Sequence, residues 1–170
     1  MRAATAADAA GIADCWRRNY RAQGGVEGLP AALLAARTPE SFRARAAARA
    51  NGDAVVAVAA GGGVVGFCVA APAGGEIEQL FVDAGERGAG TAAALLAAGE
   101  ALLSGPMHLV VTPGNGRAEA FYAKAGWRRA GVESYAADLG GGETLAVPLV
   151  RFEKDRPGPA PRDASPAVRL

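Results

Sequence analysis

Apolar and small residues recur along this chain in two rhythms, and each change of rhythm predicts a new element. Thr5 and Asp8 precede Ile12, Cys15, Trp16 and Tyr20, the start signal and spacing of a capped amphipathic helix ending near Arg21. Gly24, Gly25, Gly28 and Pro30 mark a loop. Helical stretches over 30–36 and 39–50 follow, the second opened by Thr38 and stopped by Asn51-Gly52. Residues 54–59 and 64–71 are β-rich runs joined by Gly61-Gly62-Gly63, a hairpin signal. A turn over 72–75 leads into a strand over 76–82. The chain then enters a glycine-rich turn and a helix whose apolar stripe is Ala92, Leu95, Leu96, Gly99, Leu102 and Leu103. Gly105-Pro106 breaks it before a strand over 107–111. Asn115 stands at the N-cap of a short helix reaching Ala125, with Gly126 where a helix ends. Two last strands, 127–136 and 143–151, flank Gly140-Gly141-Gly142.

The length of 170 residues suits a single domain with one sizeable core. We place that domain at 1–152 and read 153–170, rich in proline and charge and without a periodic face, as a disordered tail. A net charge of +1 provides no basic field for nucleic acid or for an anionic membrane. No apolar run approaches the ~18 residues of a membrane span, and the first residues lack the apolar centre of a secretion signal. The expected location is the cytoplasm, and the expected assembly a monomer or homodimer. Cys15 and Cys68 are too sparse for a disulfide framework or metal site and read as small buried hydrophobes. His108, the one histidine, reads as packed within its strand, which leaves metal and Cys–His chemistry without support. Arg43, Arg45 and Arg49 read as a solvated helix face.

Chemistry concentrates in the turn after residue 82. Gly88 and Gly90 leave its backbone bare, so a ligand can approach closely. The first N–H groups of the following helix lack intrahelical partners and point out of its positive end, a ready anion site. Two glycine-turn patterns could own this stretch. The dinucleotide fingerprint fits Gly88 to Ala93 in its small-residue form, but it needs an acidic residue about 20 positions further on. That region reads Leu109-Val110-Val111-Thr112 and has none. The other pattern is Arg-x-x-Gly-x-Gly/Ala, met by Arg87, Gly90 and Ala92. It resembles the acyl-CoA-binding motif of the GNAT acyltransferase superfamily. Asn115-Gly116-Arg117-Ala118-Glu119-Ala120-Phe121-Tyr122-Ala123-Lys124-Ala125-Gly126-Trp127 is similar to a second motif of that family and lies one helix and one strand downstream, as there. The chain departs from the pattern at Ala84, where proline is frequent, at Ala89, where a basic residue is frequent, and at Trp127, where phenylalanine is usual.

The resemblance implies an α+β GNAT fold. Its mixed, mostly antiparallel sheet of six to seven strands is splayed between the central strands at 76–82 and 107–111 and flanked by about four helices. It further implies acetyl-CoA as cosubstrate. The pantetheine arm would lie in the gap along Leu80, Phe81 and Val82, where unpaired strand amides need partners. The phosphates would sit over Arg87, Gly88, Ala89, Gly90, Thr91 and Ala92, with Asn115, Arg117 and Tyr122 on the far side. The implied reaction is direct attack of a primary amine, on a small molecule or a peptide, on the thioester. Glu76, eleven residues before Arg87, is the first candidate base and Glu78, on the same strand face, the second. Tyr122 would protonate the departing thiolate. Asp83 would shape the turn. The acceptor side would be built from Trp16, Arg17, Tyr20, the 24–30 loop, and Arg151 with its neighbours. Two rivals remain: a non-catalytic acyl-CoA sensor or interaction module, and a dinucleotide-binding oxidoreductase.

Overall fold

The computed structural model describes residues 1–20 and 29–155. Seven strands form one sheet: β1 (Arg2–Ala3), β2 (Ala54–Val58), β3 (Val64–Ala71), β4 (Glu76–Val82), β5 (Met107–Val111), β6 (Arg128–Gly140) and β7 (Glu143–Lys154). Their order is β1-β2-β3-β4-β5-β7-β6. Among the described residues five α-helices accompany them: α1 (Ala9–Tyr20), α2 (Ala31–Ala35), α3 (Pro39–Arg49), α4 (Thr91–Glu100) and α5 (Gly116–Lys124). The mixed sheet matches the expected architecture, with one helix more than the sequence suggested. β1 was not foreseen, because two residues carry no period; Arg2 and Ala3 pair with Val56 and Val55.

Local chemistry explains most boundaries. Thr38 Oγ1 accepts the Ser41 N–H and starts α3, with Pro39 at its first position. Asp8 accepts from the Thr5 N–H (2.8 Å) and hydroxyl (2.9 Å) and takes a two-pronged contact from Arg2 (2.7 Å each), which anchors a short 3-10 turn before α1. Helix α4 stops at Glu100, earlier than its stripe implied. Leu102 and Leu103 follow in tight turns onto Gly99 and Glu100 (3.0 and 3.1 Å), and Leu103 is still buried. The β6–β7 hairpin is longer than expected, and Gly141 and Gly142 close it with φ of 64° and 86°, the positive-φ pair of a tight hairpin turn. The loop expected at 24–30 lies mostly outside the described residues, and so does nearly all of the tail.

Two apolar layers cover the sheet. Leu95, Leu96 and Leu103 pack with Cys68, Ile77, Leu109 and Phe152 on one side. Ile12, Trp16 and Phe42 pack with Val56 and Phe67 on the other. The Trp16 ring lies tilted against Phe42 and Phe67, with centroids 5.5 and 5.6 Å away, contacts worth ~0.5–1.5 kcal/mol each beyond area burial. Leu33 of α2 joins Ala137, Val147 and Leu149 in a third, smaller cluster. Both cysteines are free and fully buried; burial pushes each thiol up to about 12, so both behave as small hydrophobes.

Between β4 and β5 the ladder fails. These parallel strands share one register pair, Glu76↔His108, held by the His108 N–H on the Gly75 carbonyl (2.9 Å). Beyond it β4 stays with β3 as far as Gly66↔Val82, while β5 stays with β7 as far as Val111↔Val150. The sheet is forked, open towards the ends of both strands.

Candidate active site

The fork exposes backbone in a definite direction. The Asp83 N–H donates to the Val65 carbonyl on β3 (2.8 Å). Hydrogen-bonded and non-bonded pairs alternate along an antiparallel ladder, so Phe81 also turns its backbone groups to β3. Leu80, one residue out of phase, turns its own into the gap. A bulge interrupts β4 lower down: Gln79 opposes Val69 and Ile77 opposes Ala70, leaving Glu78 with no opposite residue. The extra residue resets which side chains face which layer. Ile77 packs with Leu80 and Val82 in one core, whereas Phe81 packs in the other, and Glu78 lies beside Gln79 and Phe81 along a cavity on that second side.

Past the open end of β4, Asp83 ties the strand to α1, accepting hydrogen bonds from Asn19 and from Arg18 (2.9 Å). Burial raises its carboxyl, but these donors outweigh burial and hold it below the usual range. Gly88 and Gly90 both have φ of 81°, and a Cβ on either would meet nothing within 4 Å. The space above this turn is therefore open and its backbone is in the left-handed region that suits glycine. The first helical bond of α4 runs from the Ala94 N–H to the Gly90 carbonyl (3.0 Å), so the Thr91, Ala92 and Ala93 amides have no intrahelical acceptor. Thr91 Oγ1 donates to Glu86 Oε2 (3.0 Å).

A groove of about 620 Å³ runs from this turn to the fork, lined by Leu80, Val82, Arg87, Gly88, Gly90, Thr91, Ala92, Asn115, Arg117 and Tyr122 among others. Two residues expected there lie elsewhere. Ala89 is not in the lining, and its N–H is turned onto the Glu86 carbonyl (3.3 Å). The Phe81 ring stacks on Phe67 (5.7 Å between centroids) on the opposite side of the sheet. Asn115 is first a cap, its side chain accepting the Ala118 N–H (3.2 Å).

A second cavity of about 230 Å³ opens on the other side of the sheet, bordered by Trp16, Tyr20, Arg37, Glu78, Tyr135 and Leu149, among others. Leu80, Asn115, Ala118 and Tyr122 line both spaces. The two therefore meet at the fork, with the phenol of Tyr122 at the junction. That ring is held by Phe121, Trp127 and Phe152 at 5.1, 6.2 and 6.1 Å. Burial, with Cys68 adding, pushes its hydroxyl well above the ordinary value, so it is protonated and a donor.

The glutamates take different places. Glu78 borders the second cavity and pairs with Arg49; burial raises its carboxyl against the pull of that arginine. Glu76 is absent from the lining. It accepts from the Tyr135 hydroxyl (3.3 Å), lies 3.9 Å from His108 Nε2, and is raised by burial. Arg45 and Arg49 do not form a solvated face: Arg45 pairs with Asp138 at 2.7 Å and Arg49 with Glu78, while Arg43 alone of the three stays mostly exposed, against Glu40. Arg17 is exposed beside Asp14. Arg151 is engaged by Glu133 and Glu153 and is not in the lining, although its neighbours Val147 and Leu149 are. Tyr135 and Arg37 escaped the sequence reading. Tyr135 sits in an alternating strand like any other, and Arg37 follows a five-residue helix with no pattern of its own.

The donor set suits an acyl-CoA. Bare glycines and helix amides face open space, an apolar groove follows, and strand amides turn into a gap. The profile of the acetyltransferase (GNAT) domain matches residues 19–139, and the chain belongs to that family. Its fold is similar to YjaB from Escherichia coli (TM-score 0.66, 23% identity, 89% of this chain and 94% of that one). It is also similar to a phosphinothricin acetyltransferase from Sinorhizobium meliloti in complex with AcCoA (0.61, 20%, 91% and 86%). A third similar structure is the PaiA N-acetyltransferase from Thermoplasma acidophilum in complex with coenzyme A (0.58, 16%, 91% and 97%). No curated protein matches the sequence. No helix among the described residues is long and apolar enough to cross a membrane.

Proposed function

We propose that this chain moves an acetyl group from acetyl-CoA to a primary amine by direct attack. The observation that carries the reading is the fork, where a groove suited to coenzyme A and a separate cavity meet at Tyr122. Acetyl-CoA is the cosubstrate, and when bound it supplies the activated thioester.

Each step then falls to a group of this chain. The Thr91, Ala92 and Ala93 amides and the Arg87 guanidinium hold the diphosphate, a charge-assisted contact at a helix N-terminus. The Leu80 N–H, turned into the fork, holds the acyl oxygen as negative charge grows on it. An alkyl amine of pKa ~10.4 is neutral in only about one molecule in a few thousand at pH 7, so the site must take its proton. Glu78 is the glutamate bordering the amine's cavity and accepts that proton through water; Glu76, behind Tyr135, is second in order. As the amine nitrogen bonds to the acyl carbon and the carbon–sulfur bond breaks, Tyr122 gives its proton to the departing sulfur, and the proton then shed by the nitrogen restores the phenol. The products are an amide and the free thiol.

Thiol release followed with acetyl-CoA and a panel of amines tests the reading. Tyr122→Phe keeps the ring packing and is expected to lower kcat by ~10²–10⁴ while coenzyme A still binds. A non-catalytic sensor would show no amine-dependent thiol release in either protein.

A further inference from the structure

The second cavity has a chemistry of its own. Among the described residues that line it, the charged ones are Arg37, Arg45 and Glu78. Glu78 is paired with Arg49, and the Asp138 carboxylate is taken by Arg45 (2.7 Å). Arg45 also donates to the Asp138 carbonyl (2.8 Å), and Arg37 donates to the same oxygen (2.9 Å). Two guanidiniums thus converge on one neutral acceptor. Among the described residues no carboxylate lies within 4.0 Å of Arg37. Burial and the neighbouring Arg45 both push its pKa down. A guanidinium carries five N–H donors in a planar fork; the Asp138 carbonyl and the Tyr20 hydroxyl take part of this one, and among the described residues no carboxylate pairs with the rest. Carboxylate is one of the groups that such a fork takes in two parallel bonds.

The remaining walls narrow the ligand further. Trp16, Leu33, Val147 and Leu149 present apolar surface. A volume of about 230 Å³ gives room for a small molecule. A polycation would need several free carboxylates, and among the described lining residues the one carboxylate already has an arginine.

We propose that the acceptor is a small amino-carboxylate whose carboxylate is bound by Arg37, whose apolar body lies along Trp16 and Leu149, and whose amine reaches the fork beside Glu78. This rests on the acetyl-transfer reading, and its test separates the two. Acetyl-CoA-dependent thiol release is measured for matched pairs: phenylalanine against phenethylamine, leucine against isopentylamine, and 6-aminohexanoate against pentylamine. Rates are referred to the unprotonated amine. Wild type is expected to favour at least one carboxylate-bearing member by ~10–100-fold in kcat/KM. Arg37→Gln is expected to collapse that ratio to within ~3-fold through KM rather than kcat, and Arg37→Lys, which keeps the charge without the fork, to restore it in part. Equal or better use of the carboxylate-free partners or of spermidine by wild type overturns this inference and leaves acetyl transfer standing, as does an unchanged preference in a folded Arg37→Gln. Failure of every amine despite coenzyme A binding overturns both.

Discussion

Gly99 offers the sharpest test of how α4 is seated, because two well-known effects oppose each other there. Alanine inside a helix is favoured over glycine by ~1 kcal/mol, so propensity alone predicts that Gly99→Ala stabilises the protein. The structure predicts the reverse. A Cβ at Gly99 would stand 2.4 Å from Cys68 Sγ and 3.3 Å from Ile77 Cδ1. Cys68 is 0% exposed, and any rotation of its sulfur about the Cα–Cβ bond would carry it into the packed core around it. Overpacking of this kind costs ~1–3 kcal/mol. Set against the propensity gain, the net loss should be up to ~2 kcal/mol, a fall in Tm of ~2–4 °C per kcal/mol in a chain of this size. Urea unfolding of wild type, Gly99→Ala, Cys68→Ala and the double variant completes the cycle. Removing the sulfur removes the collision, so the pair should show a favourable coupling of at least ~1 kcal/mol. A Gly99→Ala protein more stable than wild type, or strictly additive energies, would refute the reasoning.

Three other outcomes follow from the geometry. Gly90→Ala forces a side chain into the left-handed region, at ~1–2 kcal/mol, and points a methyl into the groove; KM for acetyl-CoA should rise ~10-fold or more, and an unchanged KM in steady-state assays counts against a diphosphate at this turn. Glu78 must be ionised to act as base and burial raises its pKa above the ordinary 4.5, so kcat/KM should fall as pH drops through a limb displaced upward from that value; Glu78→Gln should abolish the limb and most of the rate, whereas a limb lost only in Glu76→Gln would transfer the role to Glu76. Asp8, held well below the carboxylate range by Arg2 and Thr5, contributes stability that is present above its unfolded pKa near 3.8 and lost as pH falls through the folded one. Asp8→Ala should therefore cost ~1–2 kcal/mol in urea unfolding at pH 7, and the gap to wild type should narrow below pH ~4.

What the sequence determined by itself was whatever a short run of residues can dictate to its own backbone. The turn at Gly88 and Gly90, the caps at Thr38 and Asn115, and the strand–turn–helix order around Arg87 are contiguous constraints, so the bare turn and the helix it opens were legible before any fold was known. The second cavity was not. Its contacts join residues 59, 93 and 101 positions apart, as Tyr135 meets Glu76 and as Arg45 and Arg37 meet Asp138. No local period records such pairings, which is why Arg45 and Arg49 read as a solvated face and Tyr135 as one strand residue among many. The bulge at Glu78 sharpens the point. A single unpaired residue, fixed by how β4 registers on β3, sets which side chains of β4 face which layer. Only tertiary structure decides such a register, because it is settled by the packing of two layers at once, and with it the fork where the two cavities meet.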